Sequence, residues 1–179
     1  MTYVLGTHSA ELGRLGRQHA FWREECRSGL KRAGFGAGDR LLDLGCGPGF
    51  CSLELAELVG PSGRVLGLDL SPVYIEHLQQ LAQGQNLSQL QGIATDLAEP
   101  QPLPEAGHWD GAWCRWLWMF LPQLEPLLDG LRRRVALGHV RAPPQPRQLS
   151  AHRVEPLGAP AQVALADQRK ALRELALIH

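Results

Sequence analysis

Residues 40–56 read RLLDLGCGPGFCSLELA and are followed at 63–72 by GRVLGLDLSP. This pairing restricts the chain to a narrow set of folds. Leu41, Leu42 and Leu44 form a short apolar run with the character of a strand buried on both faces of a parallel sheet. Gly45, Gly47 and Gly49 follow at alternate positions, and a helical pattern opens at about Phe50. Glycines there let the backbone turn sharply and let a ligand approach main-chain atoms with no Cβ in the way. A second apolar run, residues 64–68, ends in Asp69. In doubly wound sheets an acidic residue at the tip of the second strand, about 20 residues beyond the glycine turn, grips the ribose hydroxyls of a nucleoside. The unit therefore calls for a ligand of the adenosine type.

The loop separates one adenosine ligand from another. A dinucleotide site uses GxGxxG, with the pyrophosphate at the helix N-terminus. Here the spacing is GxGxG, with Cys46 and Pro48 between the glycines, and Phe50 stands where the third glycine of GxGxxG would be. Asp43, just before the loop, would repel a pyrophosphate and welcome an ammonium. With LLDLGCGPG as first motif and GLDLSP after it, the chain resembles the class I S-adenosylmethionine-dependent methyltransferases. The resemblance implies S-adenosylmethionine as cofactor. It also implies a Rossmann-like, doubly wound, mostly parallel α/β sheet preceded by an N-terminal helical cap.

Composition narrows the partners. The chain has 179 residues, 44% hydrophobic and 20% charged, enough for one domain with a buried core. Lys+Arg and Asp+Glu balance at 18 each, which argues against a nucleic-acid partner held by phosphate electrostatics. Residues 132–134, the one tight basic run, read as the solvated last turn of a helix. Cys26, Cys46, Cys51 and Cys114 lack CxxC pairing, so free thiols in a reducing cytoplasm are expected. No His/Cys cluster has zinc-ligand spacing, so no metal is expected. The first sixteen residues lack a signal-peptide pattern, and no apolar stretch has the length to span a membrane.

Along the chain, Leu12, Leu15, His19, Trp22, Cys26 and Leu30 recur at helical steps and predict one helix over residues 9–33. Gly34, Gly36 and Gly38 break it. The helix after the glycine loop ends at Gly60-Pro61, and Ser71-Pro72 is a capped start for the next, with Ile75, Leu78 and Leu81 inward and Gly84 as its stop. Strands are predicted at 90–95 and 109–114, separated by a proline-rich loop over 98–107, and a further amphipathic helix carries Leu124, Leu127, Leu128, Leu131 and Val135. Strand alternating with helix is the order of a parallel α/β sheet. Beyond Val135 no aromatic residue occurs, and residues 141–160 hold five prolines. We divide the chain into a helical cap (1–35), a cofactor-binding domain (36–136) and a Pro/Arg/Ala-rich tail (137–179), irregular to about residue 160 and helical over 161–178. The later strands of the family are expected to be missing. That leaves the fourth strand as an exposed edge open to self-association.

The resemblance also assigns residues. Gly45, Cys46, Gly47 and Gly49 line the methionine portion of the cofactor, with Asp43 near its amino group. Asp69 takes both ribose hydroxyls and Leu70 touches the adenine. Asp96 accepts from the adenine amino group, with Leu97 beside it. The tryptophan-rich run at 108–122 resembles the family's fourth-strand segment, which puts Cys114, Arg115 and Trp116 at the mouth of the site. Arg115 would anchor an anionic or carbonyl substrate, with Trp116 and Trp118 as an apolar wall or as core, and Trp109 and Trp113 as core. The opening residues, YVLGTHSAELGRLGRQHAFW, resemble the cap of a bacterial-type small-molecule branch, so that Tyr3, Gln18, His19 and Trp22 would line the pocket. His8, His19, His77 and His108 are proton acceptors in one reading and packing or surface residues in the other. No catalytic base is assigned, because the activated methyl group of the cofactor leaves the protein mainly to bind, orient and exclude water.

Three functions compete. The first is a methyltransferase acting on a small molecule. The second is a non-catalytic or truncated cofactor-binding remnant of one, motivated by the tail. The third is a nicotinamide-dependent oxidoreductase built on the same strand–glycine–helix unit, against which the GxGxG spacing and Asp43 speak.

Overall fold

Short apolar runs separated by glycine turns become four parallel strands in a computed structural model, which describes residues 9–99 and 109–132. Helices α1 (Ser9–Phe21) and α2 (Arg23–Arg32) precede β1 (Arg40–Leu44). Then come α3 (Phe50–Val59), β2 (Arg64–Asp69), α4 (Pro72–Gly84) and β3 (Leu90–Ala94). The strand β4 (Gly111–Cys114), a single 3-10 turn (Trp118–Phe120) and α5 (Glu125–Arg132) complete the described elements. The strands lie in the order β3-β2-β1-β4, so the chain reverses its direction of travel across the sheet at β1. A crevice opens at such a reversal, outside the carboxyl ends of the strands.

Side chains alternate across the sheet with the period of two that extended backbone imposes. Leu41, Val65, Leu90 and Trp113 face one side, with Cys26 and Leu30 of α2, Leu55 and Val59 of α3, and Ile75 and Leu78 of α4. Leu42, Leu44, Leu66, Leu68, Ala112 and Cys114 face the other, with Leu127, Leu128 and Leu131 of α5. Helices cover both faces, as a parallel sheet requires. Trp109 and Trp113 are core residues, as is Tyr74. Because Cys26 and Leu30 share a cluster with the strands, α2 is part of the wall of this core.

The predicted single helix over 9–33 is two helices. At Trp22 the backbone leaves the helical region (φ −96°, ψ 11°), although its N–H still reaches the Gln18 and His19 carbonyls at 3.2 and 3.1 Å. The cause is tertiary. The bend sets the Trp22 ring edge-on to Trp116, with centroids 6.4 Å apart. It also carries Arg23 and Arg27 to opposite oxygens of Glu54 on α3. The other boundaries follow local chemistry: Ser71 Oγ accepts from the Tyr74 N–H ahead of Pro72 at the start of α4. Tyr3, His8, His108, the loop over 100–108 and the tail beyond residue 132 lie outside the described residues.

Candidate cofactor and substrate site

The glycine loop after β1 turns back on itself through three left-handed residues: Gly45 (φ 66°), Gly47 (φ 55°) and Gly49 (φ 91°). The N–H groups of Gly45 and Cys46 both donate to the Leu68 carbonyl, at 2.8 and 3.0 Å, which ties the loop to the end of β2. The glycines have different neighbours. A Cβ on Gly49 would sit 2.7 Å from Leu78 Cγ, whereas one on Gly47 would meet nothing within 4 Å. Gly49 is therefore required for packing of the loop on α4. Gly47 opens onto a space that a side chain would fill.

That space is a cavity of about 520 Å³ over the carboxyl ends of the strands. Asp43, Gly45, Cys46, Gly47, Asp69, Leu70, Asp96, Leu97, Arg115 and Trp116 all line it, as does Gln18. Gly49 and Cys114, both expected in the site, do not. Gly49 faces Leu78. Cys114 stands opposite Leu44 in the ladder and shares its face of the sheet, so its side chain goes into the α5 cluster. Burial pushes the Cys114 thiol up, as it does the Cys46 thiol, and both are inert as nucleophiles in this setting. His19 and Trp22 stand behind the wall and touch Arg115 and Trp116 respectively.

Asp69 uses both carboxylate oxygens on the backbone. Oδ2 accepts from the Gly47 N–H at 2.8 Å and Oδ1 from the Ser71 N–H at 2.9 Å. One residue thus fixes the glycine loop and the start of α4 while presenting its carboxyl to the cavity. Burial raises its pKa, and the backbone donors of Ser71, Gly47 and Leu70 oppose that rise. Asp43 is 2% exposed and accepts from Ser52 Oγ at 2.7 Å. Burial carries its pKa up to about 6, against the pull of the Ser52 hydroxyl and the Arg115 charge and with a further push from Asp69. A cation within about 4–6 Å would favour the charged form of a carboxylate buried in this way. Asp96 closes the β3 end with an Asx turn, its Oδ1 accepting from the Ala98 N–H at 2.9 Å.

The β4 end carries the one strained non-glycine residue of the site. Trp116 has φ 62°, a conformation costing a bulky residue roughly 1–3 kcal/mol and held only where surroundings dictate it. It lays its ring under the Arg115 guanidinium, 4.5 Å from Cζ to centroid.

Residues that the sequence did not single out complete the wall: Arg14, Leu15, Phe50, Met119, Phe120 and Leu121 among them. Met119 and Phe120 are 49% and 46% exposed, an apolar rim on the cavity. Their signal was present in the same tryptophan-rich run, and Leu15 already belonged to the apolar stripe of α1. Trp118 is buried in the α5 cluster, which settles it as core. His77 donates from Nδ1 to the Pro48 carbonyl at 2.9 Å and meets the Phe50 ring edge-on, so it braces the loop. Among the described residues no group of three His, Cys, Asp or Glu is placed to hold a metal, and no helix is long and apolar enough to cross a membrane.

Comparison with known proteins bears on family and fold. Residues 41–138, more than half of the chain, match the family model described as a methyltransferase domain. A demethylmenaquinone methyltransferase of Lactococcus lactis is 41% identical over 85 residues, covering 45% of this chain and 32% of that protein. A 2-phytyl-1,4-naphtoquinone methyltransferase of Nostoc sp. is 39% identical over 84 residues, covering 45% and 35%. This chain thus spans about a third of the length of these curated relatives. Among solved structures, a SAM dependent methyltransferase from Aquifex aeolicus superposes with a TM-score of 0.59 at 20% identity, covering 69% of this chain and 66% of that one. The [4+2]-cyclase SpnF superposes at 0.57 with 22% identity, covering 65% and 42%. At such identities these two likenesses show the fold.

Proposed function

The chain belongs to the methyltransferase domain family, and from that membership we propose that it binds S-adenosylmethionine in the cavity over the strand ends and methylates a small apolar molecule. The observation that carries the reading is the conjunction of two buried carboxylates with an open left-handed glycine. Asp69 at the tip of β2 has the position and charge to hold a ribose diol. Gly47 leaves the room a ligand backbone needs, and Asp43 offers a desolvated anion to an ammonium. When bound, this cofactor supplies a methyl group already activated on a sulfonium. Asp43 would hold its ammonium and Asp69 its ribose, and the loop tied to Leu68 by Gly45 and Cys46 would present a rigid main chain to the portion between them. Orientation of this kind is the main contribution such a site can make to a displacement.

The acceptor side is the apolar rim of Met119, Phe120 and Leu121. Two relatives carry quinone substrates in their names, and a flat, apolar ring suits a wall of this composition. We therefore take a quinol-like ring as the first acceptor to test. We also infer a reducing, cytoplasmic setting, supported by four buried cysteines that are all free thiols.

Calorimetry with S-adenosylhomocysteine tests the cofactor. Binding with one site per chain is expected, and absence of binding by folded protein refutes the reading. Incubation with tritiated S-adenosylmethionine and a short-chain demethylnaphthoquinol tests the acceptor. Binding without turnover on that ring would instead favour the cofactor-binding remnant.

A further inference from the structure

Two of the four free cysteines have no part in the chemistry described above, and they stand together. Cys26 Sγ on α2 and Cys51 Sγ on α3 are 3.3 Å apart in the core. A clamp beside them sets this approach. Arg23 and Arg27, on either side of Cys26, both hold Glu54, three residues beyond Cys51 on α3, so the two helices present the sulfurs to each other. The hydrogen bond between the thiols lowers the pKa of Cys26 and raises that of Cys51. The pair therefore has one member inclined to thiolate and one donor. Cys51 also lines the cavity, so a small solute there meets the pair from the ligand side.

We propose that Cys26 and Cys51 form a reversible oxidation site, closed to a disulfide by a hydroperoxide, and that closure deforms the adjoining cavity. One sulfur, as thiolate, attacks a peroxide oxygen. The O–O bond breaks, the sulfur becomes a sulfenic acid, and the departing hydroxide takes up a proton. The second sulfur, as thiolate, then displaces hydroxide from the sulfenic acid, forming S–S as S–O breaks. Two thiols and one hydrogen peroxide give one disulfide and two waters, with two electrons passed from sulfur to oxygen.

A disulfide holds its sulfurs about 2.05 Å apart, so closing the bridge draws them about 1.2 Å nearer. On the α2 side there is no slack, since even a Cβ on Gly29 would stand 2.9 Å from the Trp113 ring. On the α3 side the first turn follows the glycine loop, and it is the part that gives. That turn carries Phe50 and Cys51 of the cavity wall and Ser52, the donor to Asp43. A ligand fitted to the dithiol form then opposes the bridge, and the bridge opposes the ligand by the same factor.

The test treats the reduced full chain with hydrogen peroxide, alkylates the remaining thiols after denaturation and measures the mass. Two of the four thiols are expected to escape alkylation. Trypsin should leave the peptide of residues 24–27 joined to that of residues 41–64, with fragmentation placing the second sulfur at Cys51 rather than Cys46. Dithiothreitol should restore all four thiols. Calorimetry should show S-adenosylhomocysteine bound at least about tenfold more weakly by the oxidised protein. Dithiothreitol should recover that affinity while leaving any sulfoxide at the exposed Met119 in place. Saturating ligand should in turn raise the midpoint potential of the pair, by about 30 mV for each tenfold difference in affinity. Cys26→Ala given the same peroxide is expected to keep its affinity, and Cys26→Ser serves if that variant does not fold. Four alkylatable thiols after peroxide, a bridge between another pair, or irreversible oxidation without a bridge overturns the site. Equal affinity of the oxidised and reduced forms overturns the coupling. The coupling rests on the cofactor reading above. Reduced protein that binds no S-adenosylhomocysteine overturns that reading and the coupling with it, while the peptide map alone decides the bridge.

Discussion

Replacing Asp43 by Asn should make the protein more stable and useless at the same site. The carboxyl is 2% exposed, and its pKa rises from the ordinary 3.8 to about 6, chiefly through burial. Between those two values the folded chain keeps a proton that the unfolded chain has released. Stability therefore falls as pH rises through this window, and the full cost is present at neutral pH. At 1.36 kcal/mol per pH unit, the interval amounts to about 3 kcal/mol. Asparagine keeps a carbonyl oxygen to accept from Ser52 and carries no charge to desolvate. For a chain of this length about 3 kcal/mol corresponds to a rise of roughly 6–12 °C in Tm. Scanning fluorimetry at pH 7.5 and near pH 4 reads both parts: a large gain at the first and little at the second, where the wild-type carboxyl is mostly protonated. The gain should come with loss of the extra stabilisation that S-adenosylhomocysteine gives the wild type. A folded Asp43→Asn protein no more stable than wild type at pH 7.5, or equally stabilised at both pH values, would refute the reasoning.

The wild-type affinity for S-adenosylhomocysteine should decline as pH falls through about 6, since the protonated Asp43 offers no anion to an ammonium; calorimetry between pH 5 and 8 reads the slope. Asp69→Ala should weaken that ligand by at least about tenfold with helical circular dichroism retained; unchanged affinity would remove Asp69 from the site. Gly47→Ala and Gly49→Ala should part ways. Both strain a positive φ by about 1 kcal/mol, but only the second drives a Cβ into Leu78, adding about 1–3 kcal/mol of overpacking. Thermal melts should show Gly49→Ala much the less stable, while binding assays show Gly47→Ala folded and ligand-free.

The strands, the loop and the start of each flanking helix were legible because each is marked locally, by a buried apolar run, an alternate glycine or a Ser-Pro cap. The break at Trp22 was not. Helical spacing continues through it, and its causes, Trp116 and Glu54, lie 94 and 32 positions away in the sequence. Cys114 was placed by its position at a strand end alone, without the parity of the pleat, which pairs it with Leu44 rather than with Asp43 and turns its side chain to the α5 cluster. The contact of Arg115 with His19 of α1 is recorded by no motif. Trp116 shows the remaining limit, since nothing in its neighbours demands φ 62° and only the assembled wall does.

The register of β4 on β1 has a consequence for biogenesis. Parallel neighbours cannot form as a hairpin, and the bond just ahead of β4 that ties it to β1, Arg40 N–H to the Asp110 carboxylate, spans 70 residues. At ribosomal speeds of about 5–20 residues per second, β1 waits roughly 3–14 s for its partner. During that interval Asp43, the glycine loop and Asp69 exist without the β4 side of the cavity wall, Arg115 and Trp116. A ligand that binds only the finished cavity would stabilise the closed form of that long loop by mass action.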